Sequence, residues 1–240
     1  MNIYYISGTS RGLGRAIAEE LLKDSNNFVI GLGRKSEISH SNYIHKYVDL
    51  ADLDQVRRFR FGDHLKADTV TLINNAGTLG PIKYAGEINS IELIEAFNVN
   101  LISPALLTND FIRDYKALHK PKTIVNISSG ASVNAYDGWS IYCTSKAGIN
   151  MYTDVIKNEA KIRKDPFLKI VAVAPGIIET DMQSQIRSAS KNDFSMIDKF
   201  QEIKDSGQLK SAQVSALDIL KFVAEINAET ASFVDIRDSQ

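Results

Sequence analysis

The chain has 240 residues, 28 basic against 29 acidic side chains, and 44% hydrophobic residues. This balance suits a soluble globular protein, is too apolar for a disordered chain, and gives a nucleic-acid partner no electrostatic footing. The single cysteine, Cys143, rules out an internal disulfide. The start enters a glycine turn at once, unlike a secretory leader, and no apolar run approaches the roughly 20 residues of a membrane span, so a cytoplasmic protein is expected.

Residues 3–7 read as a buried strand, and Leu13, Ile17 and Leu21 recur every fourth residue as on an amphipathic helix. Strands follow at 28–32 and 43–48. Asp52 with Gln55 resembles a capping box opening a helix. A strand at 70–73 precedes a helical pattern from Ser90 to about Leu118, with a bend expected at Pro104. A strand at 123–127, a helix at 141–163, a strand at 169–174, a helix at 214–227 and a last strand at 233–236 complete the chain. Strands alternating with helices imply parallel pairing through right-handed crossovers, covered on both faces. The expected fold is therefore a single-domain, Rossmann-type, doubly wound α/β sandwich of three layers. Residues 183–208, polar and rich in Ser and Lys, break the rhythm after the sixth strand and form a candidate lid.

Ser7-Gly8-Thr9-Ser10-Arg11-Gly12-Leu13-Gly14 links the first strand to the first helix. Glycines there allow a tight turn and close approach to a pyrophosphate seated on the helix N-terminus. Alone, three glycines near a turn also fit a plain loop. The octapeptide resembles the T-G-x-x-x-G-x-G fingerprint of the short-chain dehydrogenase/reductase family, with Ser7 in the threonine place. Asn74-Asn75-Ala76-Gly77 is similar to that family's N-N-A-G segment, and Asp49-Leu50 to its adenine contact. The resemblance implies a nicotinamide dinucleotide held by Gly8, Ser10, Arg11, Gly12, Leu13 and Gly14. It adds Asp49, Leu50, Asn75, Ala76 and Gly77, with Asn75 bracing the sheet. Where NAD enzymes place an acid after the second strand, this chain has Gly33 followed by Arg34. Arg34, helped by Arg11, suits the 2′-phosphate of NADP(H), because a guanidinium pairs with phosphate bidentately.

Tyr142 and Lys146 stand four apart on a predicted helix, hence on one face. A free tyrosine is a poor acid–base group at neutral pH, and a neighbouring ammonium is expected to favour its phenolate. The spacing alone is common on helices. Ser129 ends the fifth strand thirteen residues before Tyr142, the interval of the family. The resemblance implies that Ser129 orients the substrate oxygen, that Tyr142 is the acid, and that Lys146 tunes it and binds ribose. It implies that Asn100, in Asn98-Val99-Asn100-Leu101, keeps a proton relay. Pro175-Gly176 with Ile178 and Thr180 matches the family segment that closes over the nicotinamide.

Within the family, residues 81–87, Gly138-Trp139-Ser140 and the stretch from Ile186 to Phe194 resemble the benzil reductase branch, relatives of sepiapterin reductase. The implied activity is NADPH-dependent reduction of a ketone, here one flanked by a second carbonyl and bulky apolar groups. Trp139, Ile141, Ile177, Ile178 and Met182 are the expected wall, with Ser129 and Tyr142 at the reacting oxygen. Ile186, Phe194, Met196 and Ile197 either face the pocket from the lid or only fasten it. Arg187, Lys191 and Asp193 leave an anionic or sugar-like substrate as the alternative. The scattered His40, His45, His64 and His119 predict no metal. Cys143 is expected to be a packed thiol. Homodimers or homotetramers through the helices after Ser90 and Ile141 are expected. A cofactor-sensing protein that does no chemistry is the rival, although such proteins usually lose the tyrosine or lysine.

Overall fold

The computed structural model describes residues 1–64 and 66–239. Seven strands form the sheet: β1 (Asn2–Ser7), β2 (Asn27–Gly33), β3 (Tyr43–Tyr47), β4 (Thr69–Asn74), β5 (Lys122–Ile127), β6 (Leu168–Ala174) and β7 (Phe233–Asp235). Their order is β3-β2-β1-β4-β5-β6-β7, and every pair is parallel. The winding reverses between β1 and β4. A crevice therefore opens at the carboxyl ends of these strands, where ligands bind in open α/β sheets.

The helices are α1 (Gly12–Leu21), α2 (Leu53–Arg58), α3 (Ser90–Phe97), α4 (Ser103–Asp114), α5 (Ser140–Ile162), α6 (Asp181–Arg187), α7 (Ile197–Asp205) and α8 (Ala212–Glu225). Successive strand residues point to opposite faces, which sorts the apolar side chains into two cores. Ile6, Ile73, Val125 and Val171 meet Ile17 of α1 and Ile219 of α8 on one face. Ile3, Leu72, Ile124 and Ile170 meet Leu107 and Phe111 of α4 on the other. A buried polar chain ties the layers together. Asn74 Nδ2 donates to Asn126 Oδ1 (2.8 Å) and Thr108 Oγ1 (3.1 Å), and Asn126 Nδ2 donates to Thr153 Oγ1 of α5 (2.8 Å). These bonds fix α5 on the sheet.

Two expectations are corrected here. The helix from Ser90 does not run to Leu118 with a simple bend at Pro104. It contains a π-turn at Asn98–Ile102, closed by Ser103 N–H donating to Asn98 O, and ends at Asp114. Pro104 lies just past the π-turn, and this local widening of the helical run accommodates its missing N–H. The whole run Ser90–Asp114 is 25 residues long with mean hydropathy 1.2 in its best window, so by length and composition it matches a membrane span after all. It nevertheless joins β4 to β5, which are hydrogen-bonded neighbours, and is a crossover of the sheet.

The stretch after β6 leaves and returns through one neck. Ile178 bridges Lys210, Lys210 N–H donates to Ile177 O (3.2 Å), and Glu179 N–H donates to Lys210 O (3.0 Å). Residues 183–208 fall within this excursion and share a third apolar cluster, in which Ile186, Phe194, Ile197 and Phe200 pack with Leu79, Trp139 and Tyr142. Lys83 pairs with Asp193 (2.7 Å), and Asp137 accepts from Ser195 N–H (2.7 Å) and Oγ (3.0 Å).

Candidate active site

The glycine turn is shaped by close approach. Gly8 has φ +77°, and a Cβ on Gly14 would lie 2.2 Å from Asn75 Nδ2 and 2.3 Å from Gly8 O. Asn75 is held there because its Nδ2 donates to Ser7 O (3.0 Å) and Gly8 O (3.3 Å). The Ser7 hydroxyl accepts from the N–H groups of Asn75 and Ala76, both at 3.0 Å, so serine does the latching expected of threonine. At the N-terminus of α1 no side chain caps the helix and the first turn carries no acid. Its free N–H groups and dipole suit an anion.

A cleft of roughly 1370 Å³ runs from this turn along the strand ends. That volume exceeds the ~300–1,000 Å³ of a small-ligand pocket and suits a dinucleotide with a substrate beside it. Gly8, Ser10, Arg11, Gly12, Leu13, Arg34, Asp49, Leu50, Asn75, Ala76 and Gly77 line one part of it. Ser129, Trp139, Tyr142, Lys146, Pro175, Gly176, Ile177, Ile178, Thr180 and Met182 line the rest. Gly14 and Asn100 stand behind the wall. Gly14 packs under the turn as described. Asn100, 1% exposed in the π-turn, donates to Thr78 O (2.7 Å) and Ser145 Oγ (3.2 Å) and accepts from Thr78 N–H (2.9 Å). A Cβ on Gly77 would lie 3.5 Å from Asn100 Oδ1 and 3.6 Å from Lys146 Nζ, so the cleft floor meets both.

Tyr142, Lys146 and Ser129 converge as expected. Lys146 Nζ lies 5.7 Å from the centre of the Tyr142 ring and donates to Ile127 O at 2.7 Å. Burial lowers the Lys146 pKa to about 8. Burial likewise raises the Tyr142 phenol above its ordinary value, while a hydrogen bond with Ser129 pulls it down by less. This corrects the expected net lowering of the phenol, because desolvation outweighs the Ser129 hydrogen bond. The Ser128 hydroxyl is engaged elsewhere, donating to Asn150 Oδ1 (2.6 Å), as befits a structural neighbour.

Several expectations about the walls need revision. Ile141 is buried beneath Gly80 and does not line the cleft. Of Ile186, Phe194, Met196 and Ile197, only Ile186 does. Phe194 instead stacks on Trp139 with ring centroids 5.0 Å apart, and Met196 and Ile197 pack into the same cluster. Trp139 is both wall and core, being 5% exposed. Arg187 is turned to Glu179 (2.9 Å) and Lys191 to Asp198 (2.7 Å), so neither charge enters the cleft. Arg11 forms an exposed ion pair with Asp181 (2.6 Å), spanning from the glycine turn to the start of α6. Glu37, the first acid after β2, pairs with Arg15 (3.3 Å). Lys35, Tyr136, Phe200 and Arg237 also line the cleft. Lys35 adjoins Arg34, and Phe200 follows Ile197 at helical spacing. Arg237 follows the last strand and belongs to no motif.

Comparison with known proteins agrees with this geometry. The family model described as short chain dehydrogenase matches residues 2–191. A benzil reductase ((S)-benzoin forming) of Bacillus cereus is 40% identical over 229 residues, covering 90% of this chain and 91% of that protein. A benzil reductase of the same description from Bacillus subtilis is 36% identical and covers 99% of both. A short-chain dehydrogenase/reductase structure from Saccharomyces cerevisiae superposes with a TM-score of 0.85 at 24% identity, over 99% of this chain and 97% of that one. The chain belongs to the short-chain dehydrogenase/reductase family of oxidoreductases.

Proposed function

We propose that the protein is an NADPH-dependent carbonyl reductase acting on a bulky ketone such as an aromatic 1,2-diketone. The observation that carries this reading is the convergence of Tyr142, Lys146 and Ser129 on the cleft whose other end is the glycine turn.

The residues present fit a nicotinamide dinucleotide. Gly8, Gly12 and Gly77 present bare backbone along the cleft, and the N-terminus of α1 offers uncapped N–H groups. A cofactor bound there would supply the hydride. Arg34 and Lys35 border the cleft beyond β2 and suit a 2′-phosphate, while Glu37 is drawn off by Arg15. A Cβ on Gly33 would meet nothing nearer than 4.0 Å, so the acid of an NAD enzyme has room but is not there.

The chain's own residues then divide the work. Ser129 holds the substrate oxygen, and donors aimed at developing charge are worth most in a dry site. Tyr142, its phenol raised by burial, stays protonated across neutral pH and donates its proton to that oxygen. Lys146, with a pKa near the working range, is poised to return a proton from the Asn100 side. Trp139, Ile177, Met182, Ile186 and Phe200 offer apolar walls that suit aromatic groups. Residues 183–208 act as the lid. The Bacillus relatives' names lend support to a diketone substrate.

The assembly we propose is a homodimer or homotetramer through the outer helices. Ile91 (65% exposed), Ile94 (56%) and Met151 (64%) leave α3 and α5 with apolar faces that pairing would cover. The free Cys143 suits a reducing cytoplasm. The test is Tyr142→Phe, which keeps the ring and removes the transferable proton. It should abolish loss of NADPH absorbance with benzil and leave the Kd for NADPH within about twofold. Turnover like the wild type in that variant refutes the mechanism.

A further inference from the structure

The cleft has one cationic side chain on its substrate side that the hydride chemistry does not use. Arg237 follows β7 and reaches back across the sheet end. Its stem lies over Gly176, whose φ of +79° and missing side chain make room, since a Cβ there would stand 3.4 Å from Arg237 Cγ and Cδ. Its Nη2 is 3.8 Å from where a Cβ on Gly130 would be, and Gly130 directly follows Ser129. Tyr136, Ile177 and Ser129 share that wall.

The guanidinium is preorganised. Asp235, with 13% side-chain exposure, accepts from Arg237 Nε (2.9 Å), Nη2 (2.6 Å) and the backbone N–H (3.1 Å). This fork uses the Nε edge. Among the described residues nothing accepts from Nη1. The Arg237 side chain is 54% exposed, so Nη1 stands in solvent at the cleft rim and is open to an incoming acceptor.

Resting on the reductase reading above, we propose that Arg237 is a second substrate anchor, donating to an oxygen beside the reacting carbonyl and so selecting neutral 1,2-dicarbonyl compounds. The selection for a neutral group follows from charge. Asp235 neutralises the guanidinium and Asp238 adds a further negative field. A carboxylate placed against Nη1 would gain little net attraction, whereas a carbonyl needs only the donor. A 2-oxo acid is therefore the poorer substrate despite the arginine.

The test compares kcat/KM for benzil with that for deoxybenzoin, which has a methylene in place of the second carbonyl, at saturating NADPH. Arg237→Met should lower the benzil value roughly 3- to 10-fold, the range for a lost hydrogen bond from a charge-compensated donor. The deoxybenzoin value should stay within about twofold. Arg237→Lys keeps the stem over Gly176 and one charged donor, so it guards against a folding defect and should show a smaller loss confined to benzil. Asp235→Asn removes the neutralising charge and should raise phenylglyoxylate relative to benzil by several-fold. Equal losses on both ketones in the two Arg237 variants, or no loss on benzil, overturn the proposal while leaving the reductase standing. A wild type that reduces neither ketone refutes the reductase reading itself and the anchor with it.

Discussion

Replacing Lys146 by methionine should make the protein more stable while ending its activity, and the gain should shrink as pH rises. Lys146 is 4% exposed, its Nζ donates to Ile127 O at 2.7 Å, and burial brings its pKa from 10.5 to about 8. The unfolded chain therefore holds the proton up to a higher pH than the folded one, and stability rises with pH between these two values. At pH 7 the charged lysine costs the fold about 3 kcal/mol, at ~1.4 kcal/mol for each pH unit of displacement. By pH 9 that cost has fallen to about 2 kcal/mol. Methionine has similar reach and no charge, but leaves the Ile127 carbonyl without its donor, at about 1 kcal/mol. The net gain is then about 2 kcal/mol at pH 7 and about 1 at pH 9. For a chain of this size the first figure is a rise in Tm of roughly 4–8 °C. Thermal unfolding of both proteins, followed by circular dichroism at pH 7 and 9, measures the difference, and other titrations cancel between them. A variant less stable than the wild type at pH 7, or a gap that does not change with pH, would refute the reasoning.

Features legible in the sequence are those enforced by a local backbone or a fixed helical interval. The glycine turn is readable because Gly14 must be bare against Asn75 and Gly8, and that need leaves a spacing in the chain. Tyr142 and Lys146 are readable because one helix carries both. The strands show as short β-branched runs, since parallel strands covered on both faces need apolar side chains on both. What stayed hidden depends on partners far apart in the chain. The π-turn at Asn98–Ile102 places Asn100 beneath Gly77, and no composition signal separates it from ordinary helix. The fates of Phe194 and Ile186 differ because one lies over Trp139 and the other over the cleft, a distinction that periodicity does not carry. Arg237 joins the site only because β7 sits beside β6 at the sheet edge, which brings it over Gly176. The phenol of Tyr142 shifts opposite to the pairwise expectation because burial is a property of the whole fold.

The same contrast between local and assembled features sorts the remaining predictions. Gly14→Ala places a carbon against a backbone carbonyl and the Asn75 amide, neither free to move, so NADPH binding should be lost with Tm lowered by several degrees. Retained affinity by fluorescence titration would contradict this. Arg34→Ala should weaken NADPH at least tenfold and leave NADH unchanged, and equal wild-type affinities for the two cofactors would remove its basis. Phe194→Ala tests whether residues 183–208 form a separate cooperative unit. Phe194 is fully buried, stacked on Trp139 at an interplanar angle of 17° and 5.7 Å from Phe200. Truncating a buried phenylalanine costs about 3–5 kcal/mol. Here the loss falls on the third cluster, which is distinct from the two cores flanking the sheet. Residues 183–208 should therefore open locally before the sheet does. Amide exchange should speed up by a factor of roughly 100 or more within that segment and stay unchanged in β1, β4 and β5, while KM for benzil rises. Protection lost evenly across the strands and residues 183–208 would show that this segment and the sheet unfold as one.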